Sequence, residues 1–296
     1  MKHFILILLI LISAEARSQN LVPYREGNLW GYRDTLGNTR INAQYQYAGR
    51  FRFGMAIVGR EGFKGAIDSA NRVILPIQYE YLAPLDSLEF LFGYRAKYLG
   101  EHIKGVITKY QETKIPAEYS AIFKKQGLYT VVKQADSVLG KSGIYVTRSS
   151  RSFYGLLDSN ANAVIPCNYS YLDWRNDSLV VLTSAEQEPK QALFNTRGEQ
   201  LTSFDYVVIG KFYEGLAKAR IGDKFGFLFP SGKVAIPVVY DFCENFDGGY
   251  AIIKQQDKWG AIDKTGKLVV EAVLTYDEVK AQLKEKYGVF CLTREF

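Results

Sequence analysis

Hydrophobic residues in this chain fall in short runs, each closed by Asp, Asn, Gly or Pro. Gly65-Ala66-Ile67-Asp68 reads as a short strand, Asp68-Ser69-Ala70-Asn71 as a turn, and Arg72-Val73-Ile74-Leu75-Pro76 as the return strand. Asp or Asn at 34, 68, 158, 195 and 263 opens that turn, because a short carboxylate or amide accepts from backbone N–H groups two residues on. Gly37, Gly198, Gly232 and Gly266 supply the residue tolerant of positive φ that the hairpin needs. Pro76, Pro116, Pro166 and Pro237 close the return strand, where the missing donor ends the ladder. A further apolar segment precedes the strongest of these hairpins: Phe51-x-x-Gly54-x-Ala56, Phe212-x-x-Gly215-x-Ala217 and Phe246-x-x-Gly249-x-Ala251. The pattern predicts a three-stranded antiparallel meander, with room for a fourth very short strand around the Phe.

The meander is an internal repeat. Lys258-Trp259-Gly260-Ala261-Ile262-Asp263 aligns with Lys224-Phe225-Gly226-Phe227-Leu228-Phe229 and with Leu29-Trp30-Gly31-Tyr32-Arg33-Asp34. Anchor positions stand at 31, 65, 105, 155, 192, 226 and 260, with gaps of 34, 40, 50, 37, 34 and 34. Fourteen residues beyond the first six anchors stand Tyr45, Tyr79, Tyr119, Tyr169, Tyr206 and Tyr240, a register that marks core or inter-repeat packing. Residues 21–276 are therefore read as one all-β domain of seven repeats. A three- or four-stranded unit cannot bury both faces alone, so neighbours must stack, either as a closed seven-bladed β-propeller or as an open β-solenoid. The ring is favoured because the first repeat lacks its Phe-x-x-Gly segment, while the spare stretch Tyr287–Thr293 reads as a strand that could complete it and remove both sheet edges. The rod stays open, since 34 residues is short beside the roughly 40–45 of a WD-type blade, and residues 277–286, which read as an amphipathic helix, could cap it. Residues 277–296 thus form a C-terminal helix and a closing or capping strand.

On these residues the chain resembles the bacterial WG-repeat, or KWG-repeat, proteins, whose unit runs W-G-[FY]-I-D-x-x-G-x-x-V-I-P-x-x-Y and then F-x-x-G-x-A-x-V. Trp30-Gly31 and Trp259-Gly260 match best, and the resemblance covers nearly all of residues 24–276. It implies an architecture and a non-catalytic module, with no assigned activity. Repeats three to five depart from the pattern, with Lys104, Tyr154 and Gln191 in the Trp position and Ala192 in place of the Gly.

The N-terminus adds a destination. Lys2 and His3 precede the apolar run Phe4–Ile12, and Ala14-x-Ala16 follows, which is the layout of a signal peptide over residues 1–16, or to residue 19. The run is shorter than the roughly 20 residues that cross a bilayer. The expectation is an exported protein, periplasmic or extracellular, with no stable membrane anchor. Cys167, Cys243 and Cys291 stand at unrelated spacings, so at most one disulfide could form, and buried thiols are the favoured reading. His102 alone remains after cleavage, which excludes a two-histidine metal site, and no cofactor motif is present. No G-x-S-x-G, phosphate-binding Gly loop or H-E-x-x-H occurs, and the recurring aspartates are turn residues before they are acids. The reading is a non-enzyme, with a propeller-type glycoside hydrolase or lyase as the alternative.

Charge sharpens where a partner would bind. Lys and Arg number 37 against 31 Asp and Glu, a net +6 that is too diffuse to signal nucleic acid. The longest gap between anchors, 105 to 155, carries Lys124, Lys125, Lys133, Lys141, Arg148 and Arg151 against the single acid Asp136 between residues 124 and 151. Tyr129 and Tyr145 lie among them on a hairpin of residues 128–133 and 143–148, joined by residues 134–142. Insertions in repeats map to loops and often to the binding face. Out of repeat register, Trp174 stands between Asp173 and Arg175 on an expected loop after Pro166, either a contact for a sugar or peptide or a plug for the next repeat. These residues make the chain a scaffold expected to bind an envelope protein or a glycan through repeats three to five.

Overall fold

The computed structural model describes residues 21–95, 102–142 and 145–289, and the side chains of 136–150 lie outside that description. Two compact units divide the chain, residues 1–134 with 157–162 and residues 135–156 with 163–296. The strands group into seven antiparallel sheets of three or four, so the fold is nearly all-β and serially repeated, as the propeller and the solenoid both require. The signal segment 1–16 and residues 290–293 of the expected last strand lie outside the described residues.

In the first unit, β1 (Val22–Glu26), β2 (Leu29–Arg33) and β3 (Thr39–Tyr45) form one sheet. β4 (Tyr47–Ala48), β5 (Met55–Arg60), β6 (Phe63–Asp68) and β7 (Val73–Tyr79) form the next. β8 (Tyr81–Pro84), β9 (Glu89–Arg95), β10 (His102–Thr108) and β11 (Thr113–Tyr119) form a third. β12 (Ala121–Lys125) then pairs with the start of β13 (Leu128–Ser142), and β14 (Tyr145–Leu157) follows. The segment 134–142, expected as a connecting loop, is therefore strand. In the second unit come β15 (Ala163–Tyr169), the sheet of β16 (Tyr171–Trp174), β17 (Leu179–Thr183) and β18 (Gln191–Asn195), and the sheet of β19 (Val208–Tyr213), β20 (Leu216–Ile221), β21 (Lys224–Leu228) and β22 (Val234–Tyr240). The last sheet is β23 (Phe242–Cys243), β24 (Tyr250–Gln255), β25 (Lys258–Asp263) and β26 (Leu268–Leu274). The fourth short strand thus exists, directly after the register tyrosine.

The anchor glycine has a steric cause. At every anchor whose pairing is printed, the ladder to the return strand shifts register, as between Trp30↔Tyr45 and Tyr32↔Ile41, and the return strand crosses over the glycine. A Cβ on Gly31, Gly105, Gly226 or Gly260 would lie 2.4, 2.4, 2.6 and 2.7 Å from a backbone oxygen of that strand. Repeat five carries Ala192 instead, and there the return segment is no strand; only the isolated bridges Gln191↔Tyr206 and Phe194↔Gln200 remain.

Turn chemistry repeats faithfully. Oδ1 of Asp34, Asp68, Asp158, Asn195 and Asp263 accepts from the backbone N–H two residues on and again four residues on, at 2.8 to 3.1 Å. Removing one such cap by Asp68→Ala is expected to cost about 1 kcal/mol of stability, read as a lower urea midpoint at unchanged slope.

Packing joins each sheet to the next within a unit. Met55, Ile57, Leu75 and Tyr79 meet Leu82, Phe90, Phe92 and Ile107 in one cluster, and Phe227, Ile236 and Tyr240 meet Cys243, Phe246, Ile253 and Ile262 in another. Of the register tyrosines, Tyr45, Tyr79, Tyr119, Tyr206 and Tyr240 are buried, as expected, and Tyr169 is half-buried. Burial also pushes the Cys243 thiol up to about 12, which makes it an inert core residue. The last sheet is covered by helix α1 (Tyr276–Tyr287), whose Val279 and Leu283 pack on Ile252, Ala261 and Val270. Thr275 and Glu278 close a capping box at its start and Gly288, with φ 67°, ends it. Tyr287, expected in a strand, therefore closes the helix.

Candidate functional site

Two residues of the basic stretch of repeats three and four, Lys124 and Tyr129, turn inward. Tyr129 is fully buried, and its hydroxyl donates to Oε2 of Glu89 at 2.6 Å. Lys124 Nζ bonds the same Oε2 at 2.8 Å and Asp86 Oδ2 at 2.6 Å, while Lys114 Nζ bonds Glu89 Oε1 at 2.7 Å. The two ammonium groups also lie 5.3 and 5.4 Å from the centre of the Tyr129 ring. Burial alone would raise the Glu89 carboxyl, but bonds from Lys114, Lys124 and Tyr129 hold it below the ordinary range. Burial likewise opposes the charge on Lys124, and the bonds to Asp86 and Glu89 outweigh it, so that ammonium is held above its ordinary value. Lys124 and Tyr129, expected at a binding surface, are thus a partly buried and a fully buried residue whose polar atoms are already taken.

Register explains the difference. Lys124-x-x-Gly127-x-Tyr129 occupies the Phe-x-x-Gly-x-Ala segment of the other repeats. In them the Phe seals one sheet to the preceding one: Phe51 stands edge-on to Tyr32 at 4.9 Å and Phe246 to Phe227 at 4.7 Å. Here an ion pair to the preceding sheet replaces that seal, and Glu89 fills the place of Met55, Leu179 and Tyr250, paired with Thr108 as those are with Asp68, Asn195 and Asp263. Extending the Phe-x-x-Gly-x-Ala register into repeat four would have found the Lys and the Tyr; no sequence pattern singled out Glu89.

The remaining expected residues divide. Lys133 pairs with Glu118 at 3.1 Å and lies 4.9 Å over the Tyr119 ring. Lys125 is half-buried and Arg151 exposed. Lys141, Tyr145 and Arg148 lie on β13 and β14, with side chains outside the described residues. Trp174 is half-buried at the end of β16, so the expected loop is a strand. Its neighbour Arg175, in the Phe position, donates from Nε and Nη2 to Ile209 O at 3.2 and 2.6 Å and pairs with Asp173. That arrangement is a plug between repeats. Among the described residues no group of three His, Cys, Asp or Glu side chains could hold a metal ion, and no helix is long and apolar enough to cross a membrane.

A second arrangement follows the Trp position itself. In the second unit Phe225, Phe242, Trp259 and Tyr276 stand edge-on in series at 5.8, 5.8 and 5.0 Å, alternating the Trp position of one repeat with the first strand of the next sheet. Tyr154 and Tyr171 make the same contact at 5.4 Å, and Tyr171 is half exposed. In the first unit the series changes character. Lys64 takes the Trp position between Tyr47 and Tyr81, 5.7 and 5.8 Å from their ring centres, and Lys104 takes the next one, 5.5 Å from Tyr81. Indole is replaced by ammonium at two consecutive steps.

The model of the WG-containing repeat family matches residues 30–62, 193–225, 225–259 and 259–281. These stretches of the chain are WG-containing repeats, as the sequence pattern implied. No curated protein matches it. Among solved structures it is similar to a eukaryotic initiation factor (9% identity, 85% of this chain and 74% of that one, TM-score 0.37) and to Hsv2 of Kluyveromyces lactis (10%, 84% and 88%, TM-score 0.27). The extracellular domain of a hybrid two-component system of B. thetaiotaomicron is another (8%, 82% and 48%, TM-score 0.26). At these scores the likenesses carry no argument.

Proposed function

We propose that this protein is an exported, non-enzymatic scaffold that binds an envelope protein or a glycan through its divergent repeats three to five. The observation that carries this reading is the half-exposed Tyr171, stacked edge-on to Tyr154 on the strand that also presents the exposed Arg151. A flat amphipathic ring suits a protein surface or a sugar, and an exposed guanidinium suits an acidic group on either. The alternative, a glycoside hydrolase or lyase, needs a carboxyl poised to give and take a proton. Asp34, Asp158 and Asp263 are unsuited, because bonds from Asn38, Asn162 and Thr265 and from the turn backbone hold each carboxyl below its usual range.

Recovery of a partner from an envelope fraction tests the reading. The Arg148→Ser, Arg151→Ser, Tyr171→Ser protein is expected to retain about a tenth of the wild-type recovery, the loss of a Tyr and Arg hot spot. Equal recovery would count against it, as would release of new reducing ends from envelope glycans. Mass spectrometry of the secreted chain is expected to find the mature N-terminus near Arg17.

A further inference from the structure

Around Tyr81 three basic groups converge. Lys64 Nζ and Lys104 Nζ lie 5.8 and 5.5 Å from its ring centre, and the His102 ring 5.6 Å from it. Lys104 Nζ also donates to Ser120 O at 2.8 Å, which leaves its charge uncompensated. Neither lysine has a carboxylate partner among the described residues, in contrast to Lys114, Lys124 and Lys133. Cation–π contact offsets part of the cost of holding two ammonium groups on one ring but does not neutralise them. Beyond Lys64 stands Tyr47, half exposed to solvent. In the second unit the Trp positions hold the uncharged Tyr154, Gln191, Phe225 and Trp259, so the charge is a property of repeats two and three, not of the repeat.

We propose that Tyr47, Lys64, Tyr81, His102 and Lys104 form a binding site for a carboxylated polysaccharide, a uronate-bearing glycan. Charge complementarity requires an anion, and the exposed tyrosine decides between anions. A uronate offers a C–H face to the Tyr47 ring and a carboxylate to the ammonium beside it, whereas an acidic peptide offers only the carboxylate. The site is separate from Arg151 and Tyr171, so the two readings fail independently.

Calorimetric titration of the full mature chain with oligogalacturonate tests it. Wild type is expected to bind, more weakly as salt rises, and its fully methyl-esterified counterpart is expected not to bind. Lys64→Gln with Lys104→Gln should weaken binding about tenfold or more, while Lys64→Arg with Lys104→Arg keeps it, as does the Arg148, Arg151, Tyr171 triple change. The proposal is overturned if wild type binds no oligogalacturonate, if the ester or polyglutamate binds as tightly, or if the Gln pair binds as wild type. Should the Gln pair fail to fold by circular dichroism, the comparison of acid, ester and polyglutamate on wild type decides alone.

Discussion

Gly226→Ala is expected to destabilise the protein by about 3 kcal/mol or more, placing it among the most damaging single-methyl additions available to this chain. The added Cβ would stand 2.6 Å from the oxygens of both Ile236 and Pro237 and 2.7 Å from the Pro237 carbonyl carbon. These are backbone atoms of β22, so no rotamer change relieves the overlap. Relief requires β22 to lift from β21, which would break the pairing of Phe225 with Tyr240 and of Phe227 with Ile236. Both tyrosine and isoleucine belong to the core shared with the last sheet, so the damage passes beyond one hairpin. The chain contains its own control. Repeat five already carries Ala192, and its return segment has left the ladder. Ala192→Gly is therefore expected to cost only about 1–2 kcal/mol, the backbone entropy of the glycine plus the lost burial of one methyl group. Urea midpoints of the two variants check both statements; comparable losses at 226 and 192 would sink the steric account.

That contrast also marks how far the sequence was readable. Turn residues, register tyrosines and the strand-turn-strand order follow local rules: an Asp that caps its own turn does so whatever surrounds it, and a tyrosine repeated in one register must meet the same surroundings each time. The helix was legible from the amphipathic pattern of residues 277–286, while its caps Thr275 and Gly288 emerge only in the structure, Gly288 where a strand was expected. The lysines of repeats three and four were not. Counted along the chain they make a basic stretch, but Lys124 is partly buried and paired because Glu89, 35 residues earlier, stands where other repeats place Met55 or Leu179. A charge excess in sequence becomes a surface only if no acid lies opposite in the neighbouring sheet, and that pairing is decided by inter-sheet register. Lys64 and Lys104 show the converse. Isolated in sequence, they converge on one ring because Tyr81, on the first strand of its sheet, meets the Trp position of its own sheet, Lys104, and that of the preceding sheet, Lys64.

Glu89→Gln tests the buried network that took Lys124 out of the surface, with an expected loss of about 3 kcal/mol. The amide keeps the shape but leaves the Lys114 ammonium without its ion-pair partner and the Lys124 ammonium with Asp86 alone, each lysine being about a quarter exposed. The effect has a pH signature. The Glu89 carboxyl titrates below its unfolded value of about 4.3, so its stabilisation is fully present above that pH and is lost as pH falls through the lower, folded value. The wild-type urea midpoint should fall across that acid window, and the Gln variant should show a flatter profile. Substituting the residues of the other repeats, Glu89→Leu with Lys124→Phe and Tyr129→Ala, is expected to recover most of the loss. Apolar packing of similar volume commonly equals or exceeds a buried ion pair when its partners are exchanged together, and the unsubstituted Lys114 and Asp86 are 25% and 34% exposed and can turn to solvent. A triple variant no more stable than Glu89→Gln would mean that the aromatic seal between sheets cannot substitute for the ion network in this repeat, and that Lys114 depends on Glu89 for more than charge balance.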